Sequence, residues 1–415
     1  MLVIAILTLG LLAALNYHLG GKSLFHPAVV FCGIWAFDLS VIFAVGDFFF
    51  PLSPETLLIF TFGGLVFSVG AHAAKAIRSR PKNACESTKF ATWLLWMIVF
   101  LFPLFLRWIF QVAEERADSP LLMALRLGLV DMEGESLALT IFGNLTLLSS
   151  IVVLIAYREK TGHEKRAWIA FILSMTMAIL TGTKGAPLWI VVGLVYIDWL
   201  NTQRIRWKAV AIVCVLIVGI FVLVEYTVHI NGDSLEDSSQ QLVNNAALYV
   251  SGGIVAVDRV VRDPHIVPLA NPAYDIIMRI LKRVGYHTKV VSAHGYQFVD
   301  IGPNSLINNT YSIYGSWVNL GSFGMVTAMA LIGFMCGLAY HRALLGGKVS
   351  AIFYAVLFPA VFFSPFSDLT TTFIWLLLVL LVSWVVYYFP LRLARFKGLL
   401  SEIVRADMAK LEPYK

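Results

Sequence analysis

What most limits the folding of this chain is a succession of long apolar runs separated by short, mostly basic links. A helix rises about 1.5 Å per residue and the hydrocarbon core of a bilayer is about 30 Å thick, so about 17–25 apolar residues suffice to cross it. Runs at or near that length recur at 1–15, 27–49, 57–76, 91–110, 137–157, 167–180, 187–200, 209–226, 314–340, 351–365 and 370–388. Only 13% of the 415 residues are charged and 59% are hydrophobic, against about 25% charged in ordinary soluble proteins. Mean hydropathy is +0.80. The expected fold is an all-α polytopic integral membrane protein with about eleven transmembrane helices and one large extramembrane loop containing amphipathic helices. The first run has no basic flank and no small-residue cleavage site, so it reads as a retained helix. The sixth and seventh runs are short and also suit a re-entrant pair, which leaves the remaining topology unchanged.

The links give the orientation. Lys22, Lys75, Arg78, Arg80, Lys82, Lys89, Arg158, Lys160, Lys165, Arg166, Arg204, Arg206, Lys208, Arg342 and Lys348 all fall on alternate links. Together with six cations of the tail they account for most of the 31 lysines and arginines. Basic short loops stay in the cytoplasm. The N-terminus and the segment 225–309 are then expected outside. The chain divides accordingly into spans 1–8 with short loops (1–224), a large outer loop (225–309), spans 9–11 (310–390) and a basic cytoplasmic tail (391–415).

Several function classes lack their signatures. The sequence has no C-x-x-C, nucleotide-phosphate loop, zinc-protease or dinucleotide motif. A pI near 9.0 follows from the cytoplasmic links and is no argument for nucleic acid. Cys32, Cys85, Cys214 and Cys336 lie in or beside spans, so a disulfide framework is not expected. No internal repeat is visible, which weighs against the commonest transporter designs. No metal ligand spacing is visible, and neither a metal nor another cofactor is expected.

The outer segment holds the candidate chemistry. Its stretch NPAYDIIMRILKRVGY reads as an amphipathic helix ended by Gly285. Asp275, Arg279, Lys282 and Arg283 share one face of it at i, i+4, i+7 and i+8. Such a cationic face suits either a diphosphate, whose oxygens guanidinium forks grip in pairs, or anionic lipid head groups. Upstream, Asp258 with Arg262 and Arg259 with Asp263 form i,i+4 pairs. They read either as a self-neutralising helix end or as arginines turned to substrate, the first more readily for Arg262 than for Arg259. On the second reading Gly252-Gly253 marks a helix break or a close approach of backbone to ligand. The whole segment is expected to cap a membrane-embedded site for an anionic, lipid-linked substrate.

Other candidates lie near it. Lys184, in the turn TGTKGAP between the two short runs, either snorkels to head groups or works beneath the cap. Glu225 stands at a span end as a candidate base. His229, His265, His287 and His294 are each able to move a proton near neutral pH. Tyr296, Tyr311, Tyr314 and Trp317 offer aromatic faces for sugar rings. Asp38 and Asp368 are near or within spans and read either as buried carboxylates of a proton path, as in transporters, or as groups solvated at span ends, the second being expected.

Four stretches, FHPAVVFCGIWAFDL, TGTKG, YVSGGIVAVDR and NNTYSIYGSWVNLGSFGMVTAMALIGFMCGLAY, resemble in kind and order the Wzy-type repeat-unit polymerases of bacterial O-antigen and exopolysaccharide assembly. The resemblance implies a metal-independent membrane glycosyltransferase of the bacterial inner membrane, with its site facing the periplasm. It would move a growing glycan from undecaprenyl diphosphate onto the next lipid-linked repeat unit. It also implies a pathway flippase and a chain-length regulator as partners, and no nucleic acid. Basic outer-loop residues hold the diphosphate in that family. That role falls to Lys184, Arg259, Arg262, Arg279, Lys282 and Arg283, while the residues themselves, apart from the resemblance, offer Glu225 and His294 for catalysis and Tyr296, Tyr311 and Tyr314 for sugar. Lys184 stands where the family often has arginine, and Asn319-Leu320-Gly321 where it often has Asp-Phe-Gly. A polysaccharide ligase has a similar architecture and is the nearest alternative. A transporter of lipid-linked glycan, which calls for charge at mid-depth, and a non-catalytic scaffold are further ones.

Overall fold

The computed structural model describes residues 1–77, 88–114, 137–159, 164–180, 185–208, 235–263, 299–303, 306–308 and 312–365, with scattered positions within 210–222 and 380–386. Its helices are α1 (Leu2–Leu19), α2 (Pro27–Val45), α3 (Pro54–Ala73), α4 (Thr88–Glu114), α5 (Leu137–Arg158), α6 (Glu164–Leu180), α7 (Gly185–Thr202), α8 (Leu235–Arg262), α9 (Gly321–Leu344) and α10 (Lys348–Phe362). Among the described residues, five helical stretches are long and apolar enough to cross a membrane: Leu2–Leu19, Pro27–Phe48, Pro54–Ala76, Thr92–Glu114 and Gly321–Leu344. On α1, Leu9 is buried while Ile4, Leu7, Leu11 and Leu15 are exposed. A stripe of that kind is unfavourable in water and natural against lipid. The chain is a multi-pass, membrane-embedded helical protein. The apolar runs at 209–226 and 370–388 lie largely outside the described residues.

Local sequence explains the helix starts. α2 and α3 each begin with proline at the first turn, where its missing N–H is no loss. Ser53 caps α3, its hydroxyl oxygen accepting from the Thr56 N–H at 3.2 Å. α6 starts ahead of its apolar core because Glu164, Lys165 and Arg166 are good helix formers, and α7 runs two residues past its own, to Thr202.

Packing centres on α3 and α9, which run side by side in the same direction. A Cβ on Gly333 or Gly337 would overlap the backbone of Phe67 or Ala71. Only glycine lets the two backbones approach this closely, as is common between membrane helices. Ser322 donates to Glu55 at 3.2 Å where both helices start. At their other ends, His72 of α3 and His341 of α9 both lie against His26.

Two features depart from the sequence expectation. The segment 225–309 is not wholly apart from the spans, because residues 251–258 of α8 are completely buried. The Ser251 hydroxyl donates to the backbone carbonyl of Asp38, within α2, at 3.3 Å. α8 also continues through Gly252-Gly253 without a break, and the close approach there is made by the chain itself: the Ser312 N–H donates to the Gly253 carbonyl at 3.3 Å. The second departure from all-α is a short antiparallel hairpin of β1 (Val299–Gly302) and β2 (Leu306–Asn308), in register Val299 with Asn308 and Asp300 with Ile307.

The bundle therefore has two distinguishable ends. The ends of α2 and α8 and the start of α3 meet around Asp258. The opposite end gathers the start of α2, the ends of α3, α7 and α9, and the start of α10. It is tied by the stacking of Phe25 on Trp199 at 4.7 Å and by a Tyr354 hydroxyl donating to the Phe25 carbonyl at 2.9 Å. Lys348 pairs with Glu159 at 3.1 Å, bringing the end of α5 there too.

Candidate functional site

At the Asp258 end, a run of apolar residues carries α8 into the core until Asp258 brings a carboxylate to a fully buried position. A buried carboxylate without partners would be prohibitive. Here Oδ1 accepts the Ser53 backbone N–H at 2.8 Å and the Ser53 hydroxyl at 2.6 Å. Oδ2 lies 2.8 Å from the Arg262 guanidinium, one helical turn on. Arg262 also donates to the Pro51 carbonyl. One carboxylate thus ties α8 to the start of α3 and to the link before it.

That link carries the rest of the site. Phe50 donates its N–H to the Ile301 carbonyl at 2.8 Å, joining the link to β1. The Arg259 guanidinium lies over the Phe50 ring, 5.2 Å from its centroid. Arg259 makes no ion pair among the described residues, so the geometry separates the two arginines. Arg262 neutralises Asp258, while Arg259 is a half-buried cation held by an aromatic face, its donor fork open to an anion. The Arg259–Asp263 pairing open to i,i+4 spacing is not made.

Beneath this surface lies a knot of buried contacts. The Ile313 N–H donates to the Ser364 carbonyl at 2.8 Å, and the Ser364 hydroxyl accepts from the Trp35 indole at 2.9 Å. Tyr314 is fully buried, with Trp35 edge-on at 5.1 Å and Phe60 at 5.1 Å. Its hydroxyl reaches the Phe60 carbonyl at 3.5 Å. Enclosed in this way Tyr314 is a packing residue, which corrects its assignment as a face for sugar. Trp317 is partly buried against the same core.

Asp38 is a second correction. It sits on α2 about two-thirds of the way from Pro27 to Val45 and is only 1% exposed, with no hydrogen-bond partner for Oδ2. It is not solvated, because α8 covers that part of α2. Glu225, His294, Lys184, Arg279, Lys282, Arg283, Tyr296 and Tyr311 lie outside the described residues, as does Asp368. Among the described residues, no group of three His, Cys, Asp or Glu is placed to hold a metal ion.

Sequence reasoning missed Ser53 and Phe50, although Ser-Pro-Glu at 53–55 is a helix-start signature that also advertises a free hydroxyl. The partnership of Ser53 with Asp258 spans 205 positions, and no local pattern announces it. The chain matches no family model, and neither a curated protein nor a solved structure is similar to it.

Proposed function

We propose that the chain is a membrane glycosyltransferase that polymerises lipid-diphosphate-linked repeat units, as the Wzy-type resemblance implies, with the Asp258 end facing the periplasm. The observation that carries this reading is a convergence. Three widely separated stretches behind the resemblance meet in one buried knot, where Trp35 and Asp38, Ser251 and Gly253, and Ser312 and Tyr314 come together, within about two helical turns of Arg259 along α8. Polymerisation requires a cation to offset the diphosphate charge that develops as the glycan leaves, and a base for the acceptor hydroxyl. Arg259 supplies the first, held by Phe50 and ready to make paired hydrogen bonds to phosphate oxygens. Arg279, Lys282, Arg283 and Lys184 remain proposed companions on the same anion, and Glu225 or His294 the proposed base. The basic residues Lys75, Arg206, Arg342 and Lys348 belong to helix ends of the opposite, cytoplasmic face.

The test is deletion of the gene in its host, complemented with Arg259→Gln or Arg262→Gln at matched protein abundance, with surface glycan resolved on a gel. A polymerase leaves a single repeat unit on the acceptor after deletion, whereas a ligase leaves none. Arg259→Gln should shorten or abolish polymer, with a rate loss of about 10²–10³. Full-length polymer from Arg259→Gln removes this arginine from the site.

One observation favours a second reading. Asp38 is a carboxylate well inside a membrane helix with an open oxygen, as proton-coupled transporters require. Translocation of the lipid-linked glycan would then be the activity, and Asp38→Asn would abolish it while leaving Arg259→Gln active.

A further inference from the structure

The end of the bundle opposite Asp258 holds a cluster that the proposed reaction does not use. His26, the residue before α2, is fully buried, and neither ring nitrogen has a hydrogen-bond partner. Its ring stacks face to face on His72 of α3, centroids 4.5 Å apart and planes 20° apart. His341 of α9 stands 5.8 Å away with its own Nε2 unpartnered, and Tyr340 lies edge-on at 5.3 Å.

His72 is anchored by a chain of hydrogen bonds with a fixed direction. The Ser68 hydroxyl donates to the Gly64 carbonyl at 2.7 Å, so its oxygen accepts from the Asn16 amide nitrogen at 2.8 Å. That orients the Asn16 carbonyl oxygen toward His72 Nε2, 2.9 Å away. His72 is therefore the donor through Nε2–H, and an added proton goes to Nδ1. One fully formed chain thus reaches from α3 through α1 and ends at a stack of imidazoles that is not satisfied.

We propose that this cluster is an acid-sensitive latch, holding the ends of α1, α2, α3 and α9 together while its imidazoles are neutral and releasing them when they protonate. The groups facing His26 are His72 of α3, Lys75 of the turn after it, and Tyr340 and His341 of α9. Cys32 of α2 lies behind Asn16, and Tyr354 of α10 reaches the neighbouring Phe25 carbonyl. Arg342 follows on α9. Among the described residues no carboxylate faces the stack, so each proton added there meets these cations and neutral groups. His26 is also at the positive end of the α2 dipole, which disfavours an imidazolium there. Burial, then the charges of His72, His341 and Lys75, hold its pKa down to about 3. A metal-binding role fails on geometry: stacked rings set their nitrogens side by side, and no His, Cys, Asp or Glu group among the described residues is placed to hold a metal ion.

The opening is measurable by amide hydrogen exchange on the full-length protein in lipid nanodiscs at pH 7.5 and 5.5, each rate corrected for its intrinsic pH dependence. Wild type should exchange about tenfold faster at pH 5.5 in peptides covering 16–30 and 338–347, the change produced when one imidazole titrates at its ordinary pKa in the open form and well below pH 5.5 in the latched one. Peptides from the Asp258 end, such as 250–263, should not change. His72→Gln and His341→Gln should each reduce the acid response while exchange at pH 7.5 stays within about twofold of wild type. Both rings are only half-buried, so neither variant opens a large cavity. Equal corrected exchange at both pH values in wild type overturns the latch. So does a full acid response that survives in His341→Gln, or one that spreads equally to 250–263.

Discussion

The two ends of the bundle bury polar groups in opposite ways. At one end Asp258 is completely enclosed but paired, with two donors from Ser53 on one oxygen and the Arg262 cation 2.8 Å from the other. At the other end His26 is just as enclosed, and both its nitrogens are open. A satisfied buried network rigidifies what it joins, whereas a buried polar group left open costs about 1–3 kcal/mol. The contrast assigns different mechanical roles. The Asp258 end is a fixed platform that can hold Arg259 in place against an anion. The His26 end is held together in spite of its unmet hydrogen bonds, and a small change in charge can open it.

If the platform is rigid because of Asp258, Asp258→Ala has the largest effect of any single change considered. It leaves the Ser53 N–H and hydroxyl without their shared acceptor, and each buried group left unsatisfied costs about 1–3 kcal/mol. Thermal unfolding in nanodiscs should show a large drop, and Asp258→Asn a smaller one, since an amide oxygen still accepts from Ser53. Unchanged melting of Asp258→Ala would erase the distinction between the two ends.

Arg262→Gln tests the same network from its exposed side. The Arg262 side chain is 38% exposed, so solvent screens much of its attraction to Asp258. The expected loss is about 1 kcal/mol, well below that of Asp258→Ala. A loss as large as that of Asp258→Ala would mean the ion pair, and not the hydrogen bonds to Ser53, secures α8.

How far each end was legible in the sequence follows from the range of its contacts. Helices α1 to α4 are written in local hydropathy, and their starts in Pro27, Ser53 and Pro54. Arg259 and Arg262 were visible as cations on a helix end, and the i,i+4 spacing announced the Asp258–Arg262 pair. That Ser53 would complete it, and that Phe50 would hold Arg259 away from Asp263, depends on an approach between distant segments that no periodicity encodes. Tyr314 misled because tyrosine in a glycine-rich, polar stretch looks exposed, while the Ser312–Tyr314 strip runs through the core between α2, α3 and α8. Asp38 is buried and not solvated because α8, distant in sequence, lies across α2 there, which the hydropathy of α2 alone does not reveal. The histidine cluster was invisible for the same reason: His26, His72 and His341 come from three elements spread over most of the chain.

The smallest effect, with the opposite sign, is expected from His26→Phe. Phenylalanine keeps a flat ring able to stack on His72 and removes two nitrogens that have no partner. Replacing an unsatisfied buried polar group by an apolar one of similar shape is neutral to stabilising, here by up to about 1 kcal/mol at pH 7.5. The pH dependence has a definite sign. The pKa of His26 is about 3 in the folded protein, below its ordinary 6.5, so the unfolded chain binds this proton first. Its stability contribution is fully present above pH 6.5 and is lost as pH falls from 6.5 toward 3, by up to about 1.4 kcal/mol per pH unit. Phenylalanine has no such proton, so the melting advantage of His26→Phe over wild type should widen on going from pH 7.5 to 5.5. A variant that melts below wild type at pH 7.5, with a gap that does not change on acidification, would show that the imidazole nitrogens are engaged after all. The His26 end would then be a second platform like the one at Asp258.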